Sequence, residues 1–365
     1  MSLSFVRVTR ARFSLPSRKT LSLLLSATLV SSLSPALVVL TAKSASAVAT
    51  VTRNIGTGSV TWSMSDFSIN EVTTSEPTGT TYASASHGDG YDGMHYVAVA
   101  ADDLQSPTGS YSAQFPGVGS WNSTTSLYTT TPSTLNGLSV NVSHKLSATH
   151  SAGRVLITLT NTSASSVSRS VRYWGNLGSD GGTQVKYTST STSRTPLTQT
   201  CSNYSTAVSN VYWTITSDSS STDPAARGSD PIISYVYGTP NAAVGQQFAM
   251  TCYDNLYTSW NVTVPANSTR IIMVVYGAGE VDSTKNSLGG AYDGVKNYLE
   301  TFDKLPADLK SDLTGEQTGQ IVNWLIAPQP TTFTAPSIWH QPSANSTIDY
   351  TVEFPSAVTG LALND

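Results

Sequence analysis

From about residue 55 onward, apolar residues fall on every second position in many short runs. Val60, Trp62 and Met64 alternate with polar neighbours, and so do Leu138, Val140, Val142, His144 and Leu146. The period recurs at Val155, Ile157 and Leu159; at Val167, Arg169, Val171 and Tyr173; and at Val211, Trp213 and Ile215. Ile233, Tyr235 and Tyr237 continue it, followed by Phe248, Met250 and Cys252, and by Ile271, Met273 and Val275. Successive side chains of a strand point to opposite faces, so a period of two predicts strands with one buried face. Segments rich in Gly, Ser, Asn, Asp and Pro, such as 217–231, separate the runs, and no helical pattern lies between them. That order predicts antiparallel pairing rather than a parallel α/β sheet. The expected fold class is all-β: a large antiparallel β-sandwich with a few short helices near its C-terminal end.

The helical signal is confined to about 291–325. Val295, Tyr298, Leu299 and Phe302 share one face, and Ile321, Trp324 and Leu325 form another. Pro306 suits a first helical turn, and Thr314 with Gln317 has the spacing of a capping box. After Ile326 the chain becomes rich in Pro, Thr and Ser, a composition that stiffens a linker and blocks ladder hydrogen bonds. The expected organisation is a sandwich domain over 48–328, a linker over 329–348, and the start of a further unit over 349–365.

Residues 1–47 read differently. Arg7, Arg10, Arg12, Arg18 and Lys19 precede an apolar stretch from Leu21 to Leu40, which Ala45-Ser46-Ala47 closes. A basic, then apolar, then small-residue order is that of a secretory signal peptide, with cleavage after Ala47; an uncleaved anchor is the alternative. The expected localisation is therefore secreted or cell surface, with no membrane span after cleavage. The leader holds six of the 19 Lys and Arg residues and none of the 23 Asp and Glu, so the exported chain carries 13 minus 23, a formal charge of −10. Such an acidic chain lacks a footprint for a phosphate backbone, which argues against nucleic acid as a partner. Cys201 and Cys252 are the two cysteines, and an oxidising compartment predicts that they form one disulfide, with two buried thiols as the alternative. In the chain-entropy model that bridge stabilises the fold by about 4 kcal/mol.

The tail carries a resemblance. Tyr350-Thr351-Val352-Glu353-Phe354, followed by Val358-Thr359-Gly360-Leu361, resembles the opening of the bacterial Ig-like repeats of surface and adhesin proteins. Thr334-Ala335-Pro336 and Asn345-Ser346-Thr347 resemble the linker before such a repeat, whereas Pro355-Ser356-Ala357 replaces the acidic-Pro pair often found after the Phe. The resemblance covers about 30 residues, which spans the linker and an incomplete repeat. It implies a multidomain surface protein in which further Ig-like domains would be partners of the sandwich.

Candidate chemistry is sparse. His87-Gly88-Asp89-Gly90-Tyr91-Asp92-Gly93 contains a formal G-x-G-x-x-G, but Met94 to Ala100 reads as strand where a dinucleotide site needs a helix. Asp89 and Asp92 are candidate calcium ligands in that Gly-rich loop, and calcium is the one candidate cofactor. As an alternative, both are turn formers. His87 and His95 flank the loop as candidate ligand-binding residues, while His144 reads as a satisfied structural histidine. Asp180, Asp223 and Asp230 lie in turns and raise the question of paired carboxylates for glycoside chemistry, which needs them about 5–10 Å apart. No nucleophile elbow, zincin motif or P-loop occurs. Trp62 and Trp213 fall in phase with buried positions; Trp121 is the candidate exposed aromatic for a sugar face. Two functions follow as expectations, with no catalytic residue assigned: a non-enzymatic extracellular module for adhesion or domain display, meeting a surface glycan or a protein; or, as the alternative, a carbohydrate-binding or carbohydrate-active sandwich.

Overall fold

The computed structural model describes residues 49–65, 68–75, 86–91, 93–101, 115, 119–179, 182–250, 254–326, 332–334 and 351–353. The expected antiparallel β-sandwich is present. Its large sheet has ten strands, ordered β13 (Gln199–Thr200), β12 (Gln184–Thr188), β15 (Trp213–Ser217), β16 (Ile233–Val236), β19 (Ser268–Ala278), β10 (Ala152–Asn161), β9 (Leu138–Leu146), β7 (Leu127–Thr130) and β6 (Gly119–Asn122), with β8 (Ser133–Leu135) also on β9. The small sheet has five: β14 (Val208–Ser209), β17 (Gln246–Met250), β18 (Asn255–Val264), β11 (Val167–Asn176) and β5 (Tyr96–Ala100). A third, N-terminal sheet joins β1 (Ala49–Ile55), β2 (Gly58–Ser65), β3 (Ser68–Ser75) and β4 (Ser86–Gly90).

Alternation places the core. On β9, Leu138, Val140, Val142, His144 and Leu146 face the small sheet, which returns Val171, Tyr173, Phe248, Trp260 and Val262. Val51, Val60, Trp62 and Met64 of the N-terminal sheet belong to the same cluster. The central strands of the large sheet are covered on their other face as well. Ile271, Met273 and Val275 of β19 meet Trp213, Val236 and a helical segment on that side. Burial on both faces explains why residues 271–276 form an unbroken apolar run.

The helical cover begins earlier than its sequence signal. Helix α1 (Leu288–Gly294) is capped by the Ser287 side chain, which accepts from the Gly290 amide, and passes into a π-helical turn over Val295–Leu299. Leu288, Ala291, Tyr292, Val295 and Leu299 then lie on one buried stripe. Helix α2 (Ala307–Lys310) follows Pro306, and α3 (Gly315–Gln320) carries the anticipated Thr314–Gln317 capping box. The expected second helical face does not form a helix. Ile321 makes a parallel bridge to Ile271, and Asn323 donates to the Tyr237 and Met273 carbonyls, so backbone–sheet bonding replaces a further helical turn. Ile321 and Trp324 are nonetheless buried. Within the expected linker, β20 (Thr332–Thr334) pairs antiparallel with β21 (Thr351–Glu353). No helix among the described residues is long and apolar enough to cross a membrane.

One ion pair fastens the helical cover. Arg154, on β10 and only 1% exposed, donates to the Leu309 carbonyl at 2.5 Å and to both carboxylate oxygens of Asp312 at 3.1 and 2.9 Å. Removing the carboxylate strands a buried guanidinium, a change that typically costs about 3–5 kcal/mol. Asp312→Ala is therefore expected to lower the free energy of unfolding by at least about 2 kcal/mol after allowance for the partial exposure of Asp312. Urea denaturation measures it, and a change within about 0.5 kcal/mol would show that the pair does not hold the cover.

Candidate functional site

Two places concentrate polar chemistry: the middle of the sandwich and the outward face of the small sheet. The first is built by the Gly-rich segment between β4 and β5. Asp89, Tyr91, Gly93 and His95 all adopt left-handed φ angles, of 66°, 72°, 96° and 78°. For Tyr and His this conformation is strained, and such strain persists only where surrounding contacts enforce it. Here the Tyr91 amide donates to the Leu177 carbonyl at 2.8 Å, and the Asn176 amide to the Gly93 carbonyl at 3.0 Å. Gly175 and Gly178 make the approach feasible, since a Cβ on either would run into Met94 or into the backbone at Asp89 and Tyr91. The motif read as a formal dinucleotide fingerprint is thus a threading device. It carries the side chains of Tyr91 and His95 into the core.

There they meet residues placed by strand register. Tyr235 stands opposite Tyr276, and Tyr276 opposite Gly153, whose missing side chain leaves room for the phenol. His144 stands opposite both Val155 and Tyr128. From the small sheet Tyr173 and Thr258 pair across β11 and β18. The His95 ring lies 4.9 Å from that of His144, 4.4 Å from Tyr276 and 5.8 Å from Tyr91, and its Nδ1 shares a hydrogen bond with the Tyr173 hydroxyl. Trp62 packs edge-on to Tyr276 at 5.6 Å. Burial lowers the pKa of His144 to about 3 and pushes that of His95 well below the ordinary imidazole value, with His144 adding a smaller charge–charge contribution. It also raises Tyr173, Tyr235, Tyr237 and Tyr276 well above the usual phenol value. The cluster is therefore neutral at pH 7.

The second place mixes covered and exposed groups: Trp174, Tyr257 and Arg172 are buried, whereas Ser168, Asn261 and Thr263 are exposed. On the outward face of the small sheet, Tyr96 lies 5.7 Å from Trp174, and the Arg172 guanidinium sits 5.5 Å over the Tyr257 ring. Further along the same strands a cavity of about 300 Å³ is lined by Ala101, Ser168, Arg169, Ser170, Asn261 and Thr263, with Val262. Ser168 and Thr263 hydroxyls are 2.8 Å apart across the strand pair. Arg169 donates to the Asn136 and Ser168 carbonyls. From Ser170 to Trp174 along β11 is about 13 Å at strand rise.

The structure distributes the residues singled out in the sequence. His87 lies buried on β4, its Nδ1 donating to the Ser229 carbonyl at 3.1 Å, whereas His95 belongs to the interior cluster. Trp121 stands on β6 opposite Tyr128, half-buried against the core. Asp89 is exposed; Asp92, its expected calcium partner, lies outside the described residues, as do Asp180 and Cys252, so the Cys201–Cys252 pairing does too. Asp223 accepts from the Ala225 amide at 2.9 Å, the local turn bond its sequence suggested. Among the described residues no group of three or more His, Cys, Asp or Glu could hold a metal ion. His144 departs from expectation, for neither ring nitrogen has a hydrogen-bond partner. Sequence reasoning missed the tyrosines and His144 as one group. The available signal was that Tyr173, Tyr235, Tyr237 and His144 all occur in phase with buried aliphatic positions.

No protein-family model and no curated protein matches the chain. Among solved structures it is similar to a galactose mutarotase-like protein from Lactobacillus casei, at 8% identity over 63% of this chain and 100% of that one, with a TM-score of 0.36. It is also similar to 4-alpha-glucanotransferase from Thermococcus litoralis, at 6% identity over 63% of this chain and 37% of that one, with a TM-score of 0.33. A likeness at these TM-scores carries no argument about chemistry.

The interior histidines set a pH dependence. Their folded pKa values are lowered, so the unfolded chain binds more protons as pH falls below about 6.5, and stability present above that pH is lost on the way down. At pH 5 the loss is about 2 kcal/mol for His144, and His95 adds to it in the same direction. The raised tyrosines act at the other end: their contribution is lost as pH climbs past about 10. Urea melts are expected to show a plateau between these limits and an acid slope that His144→Phe makes shallower. Equal stability of the wild type at pH 5 and pH 8 would contradict the assignment.

Proposed function

We propose that the chain is an exported β-sandwich protein that binds carbohydrate on the outward face of its small sheet. The observation that carries this reading is the composition of that face. Hydroxyl, amide and guanidinium groups line a cavity of about 300 Å³, with Ser168, Asn261 and Thr263 exposed. Sugars present hydroxyls around their rims, and polar groups of this kind are what fixes their orientation in a site. Such binding also fits adhesion to a glycan surface, the role that a leader peptide and an Ig-like tail would serve.

A glycan array probed with the chain from residue 48 onward is expected to yield a defined set of oligosaccharides. Asn261→Ala together with Ser168→Ala, both exposed and outside the core, should weaken the best ligand at least tenfold by isothermal titration while leaving Tm unchanged. Absence of binding to any glycan, or binding that survives the double variant, would remove this face from the function.

A further inference from the structure

We infer that His95, His144 and Tyr276 enclose a bound water molecule between the two sheets, a built-in hydration site at the centre of the sandwich. The inference rests on which polar atoms lie together. His95 Nε2, both ring nitrogens of His144 and the Tyr276 hydroxyl are buried without a hydrogen-bond partner. All three residues are fully buried, at 0% exposure. They are also contiguous, with ring separations of 4.4 Å for His95–Tyr276 and 4.9 Å for His95–His144. Among the other polar atoms nearby, His95 Nδ1 has Tyr173 and the Tyr237 hydroxyl has Thr214 at 2.6 Å, whereas the Tyr91 and Tyr235 hydroxyls and Trp62 Nε1 are likewise buried without a partner.

Leaving a buried donor or acceptor unpaired costs about 1–3 kcal/mol, so four such atoms in one place would consume much of a typical domain's stability. Buried water resolves this where two to four polar groups converge, and interiors hold roughly one such molecule per 27 residues. The donor and acceptor inventory fits. A neutral imidazole supplies one N–H and one bare nitrogen, and a phenol can play either part. Water can therefore donate to one histidine and the phenol while accepting from the other histidine, which pairs three of the four atoms. The surroundings are uncharged rings: Tyr91, Tyr128, Tyr173 and Trp62 pack about the group. Gly153 completes the site, since a Cβ there would displace the Tyr276 ring.

The test uses the chain from residue 48 onward. A crystal structure at about 1.5 Å is expected to show water density at hydrogen-bond distance from His95 Nε2, a His144 nitrogen and the Tyr276 hydroxyl. Tyr276→Phe keeps the ring contacts and removes one partner of the water, so Tm should fall by about 2–4 °C. If no water is held, the same variant removes an unpaired buried hydroxyl and Tm rises. A rise in Tm, an empty space in the wild-type density, or anomalous scattering from a metal at that point would each overturn the inference. Should the variant fail to fold, the wild-type density alone decides.

Discussion

The large sheet is the constraint around which the rest is arranged, because its central strands are buried on both faces over most of their length. β10 and β19 run side by side for ten paired residues, and each sends side chains into two separate cores. A sheet of that kind is stable only between two covers. The small sheet with the N-terminal strands supplies one, and the helical segment after β19 supplies the other. Features that look local in the chain follow from this demand. The Arg154–Asp312 clasp, the Asn323 side chain bonded to two sheet carbonyls, and the parallel bridge at Ile321 all hold a short irregular segment against a surface it must not leave.

The two cores differ in chemistry although both exclude solvent. Beneath the helices the packing is aliphatic with Trp213, Tyr292 and Trp324 at the margins. Between the sheets it is a meeting of phenols and imidazoles, two of whose contributors arrive on strained backbone. Strain and unmet polar groups in one place mark a site where local preference has been overruled by a requirement of the whole. The outward face of the small sheet differs again: Ser168, Asn261 and Thr263 are exposed, and Trp174 and Tyr257 are buried farther along the same strands.

Much of this architecture was legible from periodicity. A period of two located the strands carrying Leu138–Leu146 and Val155–Leu159, and placed Trp62 and Trp213 inside; the Thr314 capping box was readable from two residues. Periodicity failed at Ile321–Leu325, because spacing records which residues are buried and not which backbone bonds bury them. It also could not show that His95 and His144, forty-nine positions apart in sequence (144 − 95), share one contact, since β5 and β9 lie in different sheets. His87 and His95 are close in sequence yet serve different neighbours, as a chain that turns through four left-handed residues loses the directional memory on which such reasoning depends. The outward-facing cavity was invisible for a related reason: Ser168 and Thr263 are ordinary strand threonine and serine until register sets them opposite each other.

The pairing of β10 with β19 also bears on how the molecule comes into being. Ala152 must find Gly277, and no shorter-range pairing completes the middle of the large sheet. A chain emerging from its N-terminus therefore holds β9 and β10 as an unfinished edge until more than a hundred further residues have appeared. Long-range closure of this kind makes for slow folding and a lengthy exposure of strand edges. The many serines and threonines along those strands then act on kinetics as well as on the finished surface, keeping a half-built sheet soluble while it waits for its last central strand.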